Sequence, residues 1–185
     1  LLYPVCSILD PKYTFTVSKR QTAAGCADAM NHVMEQYFAE DTTLLNDGFC
    51  ESELRSLMYN TKIALQDPED YRARAELMLD CTYGCNGILS LGNSETGWPM
   101  HGIEHALSAY YDITHGEALS LFTPRSLPSL LSDSSLYRFL HFAFLFFLFL
   151  SSFHPPPFPH QPLYAPSLFF ASFRLPILLY YLRLS

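Results

Sequence analysis

Four histidines and one aspartate carry the chemistry that this sequence offers. In "GCADAMNHVMEQYF" Asp28 precedes His32 by four residues, and in "HGIEHALSAYYDITHG" His101 precedes His105 by four, with His115 ten residues further on. On a helix, a four-residue step puts both side chains of a pair on one face, close enough to reach a common ion. Three imidazoles and a carboxylate suit a divalent transition ion, Fe(II), Zn(II) or Ni(II), rather than Mg or Ca, which take oxygen shells. A lone Asp-x3-His pair is more often an exposed polar pair. Here, however, every histidine of residues 1–125 falls in one of the two clusters, and both clusters sit in apolar stretches. Burying these groups costs several kcal/mol unless something pairs with them, and a cation is such a partner. Spacing does not choose which three histidines ligate; one of them can stand behind the ligands or serve proton transfer.

These side chains need helices to hold them. Thr22 reads as an N-cap, and Ala27, Met30, Val33, Met34, Tyr37 and Phe38 recur at three and four spacing, which predicts a helix over 23–39. "ESELRSLMYNTKIAL" predicts a second. Asp67 as cap and Pro68 at the first helical position start a third, ended near Asn86 by Gly87. Pro99 opens a fourth, and the chain breaks and restarts between Asp112 and Gly116, which places His115 at a helix start. The opening "LLYPVCSILDPKYT" reads as a strand and the loop leaving it. The fold class is therefore mainly α, a helical bundle preceded by a short strand remnant.

Composition divides the chain near residue 125. Residues 1–125 carry a net charge of −9, whereas residues 126–185 carry +2 with 8 of the 13 prolines and 11 of the 15 phenylalanines. The acidic head excludes a nucleic-acid surface, which needs clustered cations. The tail is Phe/Leu/Pro-rich and unpatterned, too short in its apolar run and too irregular for a membrane span, and reads as no domain of its own. Three segments follow: 1–20 as the end of an α/β domain and linker, 21–125 as a helical metal-binding domain, and 126–185 as the tail. Five cysteines form an odd set without CxxC spacing, which fits reduced thiols in the cytoplasm. Cys81 and Cys85 share a helix face and are expected to point to the core. Trp98, Tyr110, Tyr111 and Phe122 are candidates for a pocket lining or for helix packing.

"SILDPKYTFTVSKRQTAAGCADAMNHVMEQYF", "ALQDPEDYRARAELM" and "HGIEHALSAYYDITHGEALSLFTPR" together resemble the iron-containing alcohol dehydrogenases, and among them the butanol-dehydrogenase-like branch. The resemblance covers roughly residues 3–125. It implies an N-terminal α/β domain that binds NAD(P) through a glycine-rich loop and a C-terminal helical domain that holds the metal, Fe(II) with Zn(II) as the other candidate. It also implies Asp28, His32, His101 and His115 as metal ligands and His105 as a catalytic histidine for proton transfer. The substrate implied is a small alcohol or aldehyde, and a homodimer is implied for the full-length family. No Gly-Gly-Gly or GxG run occurs, so no cofactor-binding residue is identified, and the stretch reads as the middle of such an enzyme. A helical metal-binding remnant without catalysis is the alternative.

Overall fold

The computed structural model describes residues 4–94 and 97–130. Five helices run through them: α1 (Lys19–Tyr37), α2 (Leu44–Gln66), α3 (Tyr71–Cys85), α4 (Pro99–Tyr111) and α5 (His115–Leu130). Short 3₁₀ turns at Pro11–Thr14 and Ile88–Ser90 precede α1 and follow α3. The mainly helical expectation holds. The strand expected in the opening does not: residues 4–10 run without strand pairing, because no second strand among the described residues offers a ladder. The tail expected over 126–185 lies, beyond Leu130, outside the described residues, and α5 itself continues past Arg125. No helix of the described residues is long and apolar enough to cross a membrane.

Helix starts differ from the sequence expectation where two capping residues compete. Ser18, not Thr22, caps α1, its hydroxyl accepting from the Gln21 amide at 3.2 Å. Thr22 is instead buried inside the first turn and accepts from Arg74 Nη1 at 3.0 Å. Similarly α3 starts at Asp70, which accepts from the Ala73 amide at 2.8 Å. Asp67 ends α2 in extended backbone, as the residue before a proline prefers. Gly87 follows α3 in the left-handed region at φ 84°, where glycine carries no steric cost.

α1 is the central element and packs against α2, α3 and α5, while α4 lies on α5. Val33, Cys50, Leu54, Leu57, Ala64 and Leu119 are almost wholly buried between them. Each buried leucine contributes roughly 1.5–3 kcal/mol relative to exposure. Cys81 and Cys85 do not face this core; both are exposed, since the buried side of α3 is formed by Ala73, Arg74, Leu77, Asp80 and Gly84. Gln36 ties α1 to α3: its Nε2 donates to Gly84 O at 2.8 Å and its Oε1 accepts from Ser90 at 2.8 Å.

Between α2 and α3 two carboxyls are buried, Glu53 and Asp80, and Glu53 Oε1 has no hydrogen-bond partner among the described residues. Burial, then the charge of Asp80, pushes Glu53 up to about 7; burial, opposed by a hydrogen bond from Ser56, pushes Asp80 up to about 6. A carboxyl with a raised folded pKa stabilises the fold below its ordinary value and loses that contribution as pH rises through the raised one. Glu53→Gln is therefore expected to stabilise the chain at pH 8, on the order of 2 kcal/mol, and to leave it nearly unchanged at pH 5. Urea denaturation at the two pH values tests this; an equal effect at both would refute it.

Candidate metal centre

α1, α4 and α5 meet around Asp28. Asp28 and His32 project one turn apart from α1, His101 from the first turn of α4, and His115 is the first residue of α5. Three imidazoles converge on one carboxylate oxygen: Asp28 Oδ1 lies 3.4 Å from His32 Nε2, 3.3 Å from His101 Nε2 and 3.2 Å from His115 Nε2. Of these contacts only that of His101 has hydrogen-bond geometry, so Asp28 Oδ1 faces two further imidazole nitrogens that it does not hydrogen-bond. Ligand atoms held at about 2.0–2.2 Å from a tetrahedral ion stand roughly 3.3–3.6 Å apart. The separations from Asp28 Oδ1 match those of such a shell, and the ligand atoms of Asp28, His101 and His115 all lie within 4.8 Å of one another, whereas His32 approaches Asp28 but belongs to no such set among the described residues.

The electrostatics lead to the same place. Burial alone would raise the Asp28 carboxyl, but the contacts of His101 and His32 outweigh it and hold the group well below the usual carboxylate range. Contact with Asp28, then with Cys85, pushes His32 up to about 10. Burial would lower His101, yet Asp28 and Glu35 carry it up to about 9. Without an ion the cluster collects protons where an ion would supply positive charge.

His105 stands at the edge of this group. Its ring lies 6.0 Å from that of His101 and 5.3 Å, stacked, from that of His115, and it is exposed. A cavity of about 370 Å3 opens beside the cluster, lined by His32, Gln36, Cys85, Trp98, His105 and His115 among others. Of the aromatic candidates Trp98 lines it, with its ring 5.5 Å from His32 and 5.4 Å from His101. Tyr110 and Tyr111 are exposed and pack on each other instead. Trp98 takes φ 44° ψ 50°, a left-handed conformation that costs a bulky residue about 1–3 kcal/mol. Pro99 at the first helical position follows it, so the strained residue is where the chain turns into α4.

Two carboxylates at the centre escaped the sequence reading. Glu35 contacts His101 Nδ1, and Glu104 contacts His115 Nδ1. The signal was present in the spacing: Glu35 follows Asp28 by seven residues and Glu104 follows His101 by three, both on the face that carries the histidines. The approach of α5 to α1 is set by Gly116, where a Cβ would stand 1.9 Å from the Ala24 carbonyl oxygen. Arg20 of α1 closes the same corner, donating to both oxygens of Glu117 through Nε at 2.5 Å and Nη2 at 2.8 Å.

The sequence and the helical fold have relatives among known proteins. Residues 22–135 match the Fe-containing alcohol dehydrogenase family, C-terminal. NADH-dependent butanol dehydrogenase A of Clostridium acetobutylicum is 46% identical over 140 residues, 75% of this chain and 36% of that protein. The crystal structure of NADH-dependent butanol dehydrogenase A from Thermotoga maritima has 40% identity and a TM-score of 0.62 over 63% of this chain and 29% of that one. The substrate- and cofactor-free aldehyde reductase YqhD of Escherichia coli has 30% identity and a TM-score of 0.70 over 84% of this chain and 40% of that one. The chain thus spans about a third of the length of the curated relatives it matches. With its helices and matched residues shared in this way, the chain belongs to the iron-containing alcohol dehydrogenase family.

Proposed function

We propose that residues 21–125 are the metal-binding part of an NAD(P)-dependent alcohol dehydrogenase, and that Asp28, His32, His101 and His115 hold its divalent ion. The observation that supports this most is the convergence of three Nε2 atoms on Asp28 Oδ1 within 3.2–3.4 Å. Fe(II) is the proposed resident, by the family, and Zn(II) suits the same donors. When bound, the ion supplies Lewis acidity to an alcohol or aldehyde oxygen. The cavity beside it accepts a small primary alcohol or aldehyde, with Trp98 as one wall. His105, exposed at the cavity edge, carries the proton between that oxygen and solvent. Hydride transfer with NAD(P) is proposed for the whole protein, as in relatives named for NADH- or NADPH-dependent activity, and so is a homodimer. The five unpaired thiols suit a cytoplasmic location.

The experiment is Zn(II) or Fe(II) uptake by the full 185-residue chain beside an Asp28→Ala, His32→Ala double variant. Uptake of about one ion per chain, lost in the variant, is expected. Equal uptake by both would sink the assignment.

A further inference from the structure

Glu35 and Glu104 are buried carboxylates, 5% and 0% exposed, that no step above uses. Each touches one histidine at the nitrogen facing away from Asp28: Glu35 Oε2 is hydrogen-bonded to His101 Nδ1, and Glu104 Oε2, which has no hydrogen-bond partner among the described residues, lies in ion-pair contact with His115 Nδ1. Their second oxygens are engaged too. Glu35 Oε1 accepts from the Met100 amide at 2.6 Å, which caps the start of α4 from a neighbouring helix, since Trp98 makes no side-chain cap. Glu104 Oε1 accepts from the Ser108 hydroxyl. Both carboxylates are thereby fixed in position and in orientation.

A neutral imidazole carries its proton on one nitrogen, and only the other nitrogen has a lone pair to give. An ionised carboxylate accepts and cannot donate, so the nitrogen it touches is the protonated one. Resting on the metal assignment above, we propose that Glu35 and Glu104 are positioning residues of the metal centre: they hold the protons of His101 and His115 on Nδ1 and turn both Nε2 lone pairs toward the ion. The three helices are then linked in a ring. Glu35 of α1 sets His101 of α4, Glu104 of α4 sets His115 of α5, and both imidazoles return to Asp28 of α1. The two negative charges also make the imidazoles better donors, as outer carboxylates do at histidine-bound metals.

The test uses the full chain and Zn(II) alone, a diamagnetic ion. Magnetic resonance of the zinc-loaded chain, isotope-labelled at the histidine ring nitrogens, is expected to find the proton of His101 and His115 on Nδ1 and the metal on Nε2. Glu35→Gln and Glu104→Gln are each expected to weaken zinc binding about 10- to 100-fold, beyond any change in the metal-free denaturation midpoint. A purely structural role would instead lower the midpoint and leave the zinc constant alone. Protons on Nε2 of both histidines in the parent chain overturn the proposal whether or not the variants fold, and so do zinc constants within about threefold of the parent in both variants. If the parent takes up no zinc, the metal assignment fails and this proposal with it; if zinc binds with the opposite tautomers, only the proposal fails.

Discussion

Gly116→Ala is expected to cost the chain about 3 kcal/mol or more, or to push α5 off α1 and abolish metal uptake. The added Cβ would meet Ala24 O at 1.9 Å and Ala24 C at 2.6 Å, and these are backbone atoms of a central helix that no rotamer change moves aside. The displacement acts at the worst place. His115 is the preceding residue and reaches Asp28, one turn beyond Ala24, at 3.2 Å. A shift of 1 Å would take its Nε2 out of range of a shared ion. Gly25, next to Ala24, is the control: nothing lies within 4 Å of its Cβ position, so Gly25→Ala should stabilise the chain by about 0.5–1 kcal/mol. Denaturant midpoints and zinc uptake of the two variants decide it. Similar behaviour of both would mean that the close crossing of α1 and α5 does not form in solution.

Metal uptake is expected to release protons and to strengthen steeply with pH. His32 and His101 stand at about 10 and about 9 without an ion, so both are protonated at neutral pH and must lose a proton to ligate. Calorimetry at pH 7 in buffers of different ionisation enthalpy should count up to about two protons per ion. The metal-free fold has the opposite dependence. Histidines raised by Asp28 stabilise it fully below their ordinary value of about 6.5, and that stability is lost as pH rises through 9 to 10. Alkaline conditions therefore weaken the empty fold and favour the loaded one. Asp28→Asn removes the first of the groups that raise both histidines: uptake should fall at least about 100-fold and the release of protons should shrink, with Cys85 and Glu35 sustaining the remainder. Undiminished proton release in Asp28→Asn would assign it to other groups.

Much of this centre was legible in the chain because its geometry is local. The step from Asp28 to His32 is one helical turn, and the break after Asp112 put His115 on a new helix, as the left-handed backbone of Asp112 at φ 54° bears out. What was not legible depends on tertiary partners. Ser18 and Thr22 have equal capping chemistry, and the choice fell to Arg74, 52 residues away, which takes the Thr22 hydroxyl. Cys81 and Cys85 look apolar in sequence, but α3 buries its other side. Glu35 and Glu104 read as ordinary helix-face acids until α4 and α5 bring imidazoles onto them. Gly116 is one small residue in a helix start; only the backbone of α1 against it shows why it has no side chain.

Trp98 is the one tryptophan of all 185 residues, and its indole stands edge-on to His32 and His101. Its fluorescence is therefore a signal from the centre alone. A neighbouring imidazolium quenches indole emission, so the metal-free chain is expected to be dim at neutral pH. Zinc, which would displace those protons and has a filled shell, is expected to brighten it, and iron with its open shell to darken it further. The strained turn that starts α4 gives the chain a label that reports both occupancy and the kind of ion, with no dye attached and no residue changed.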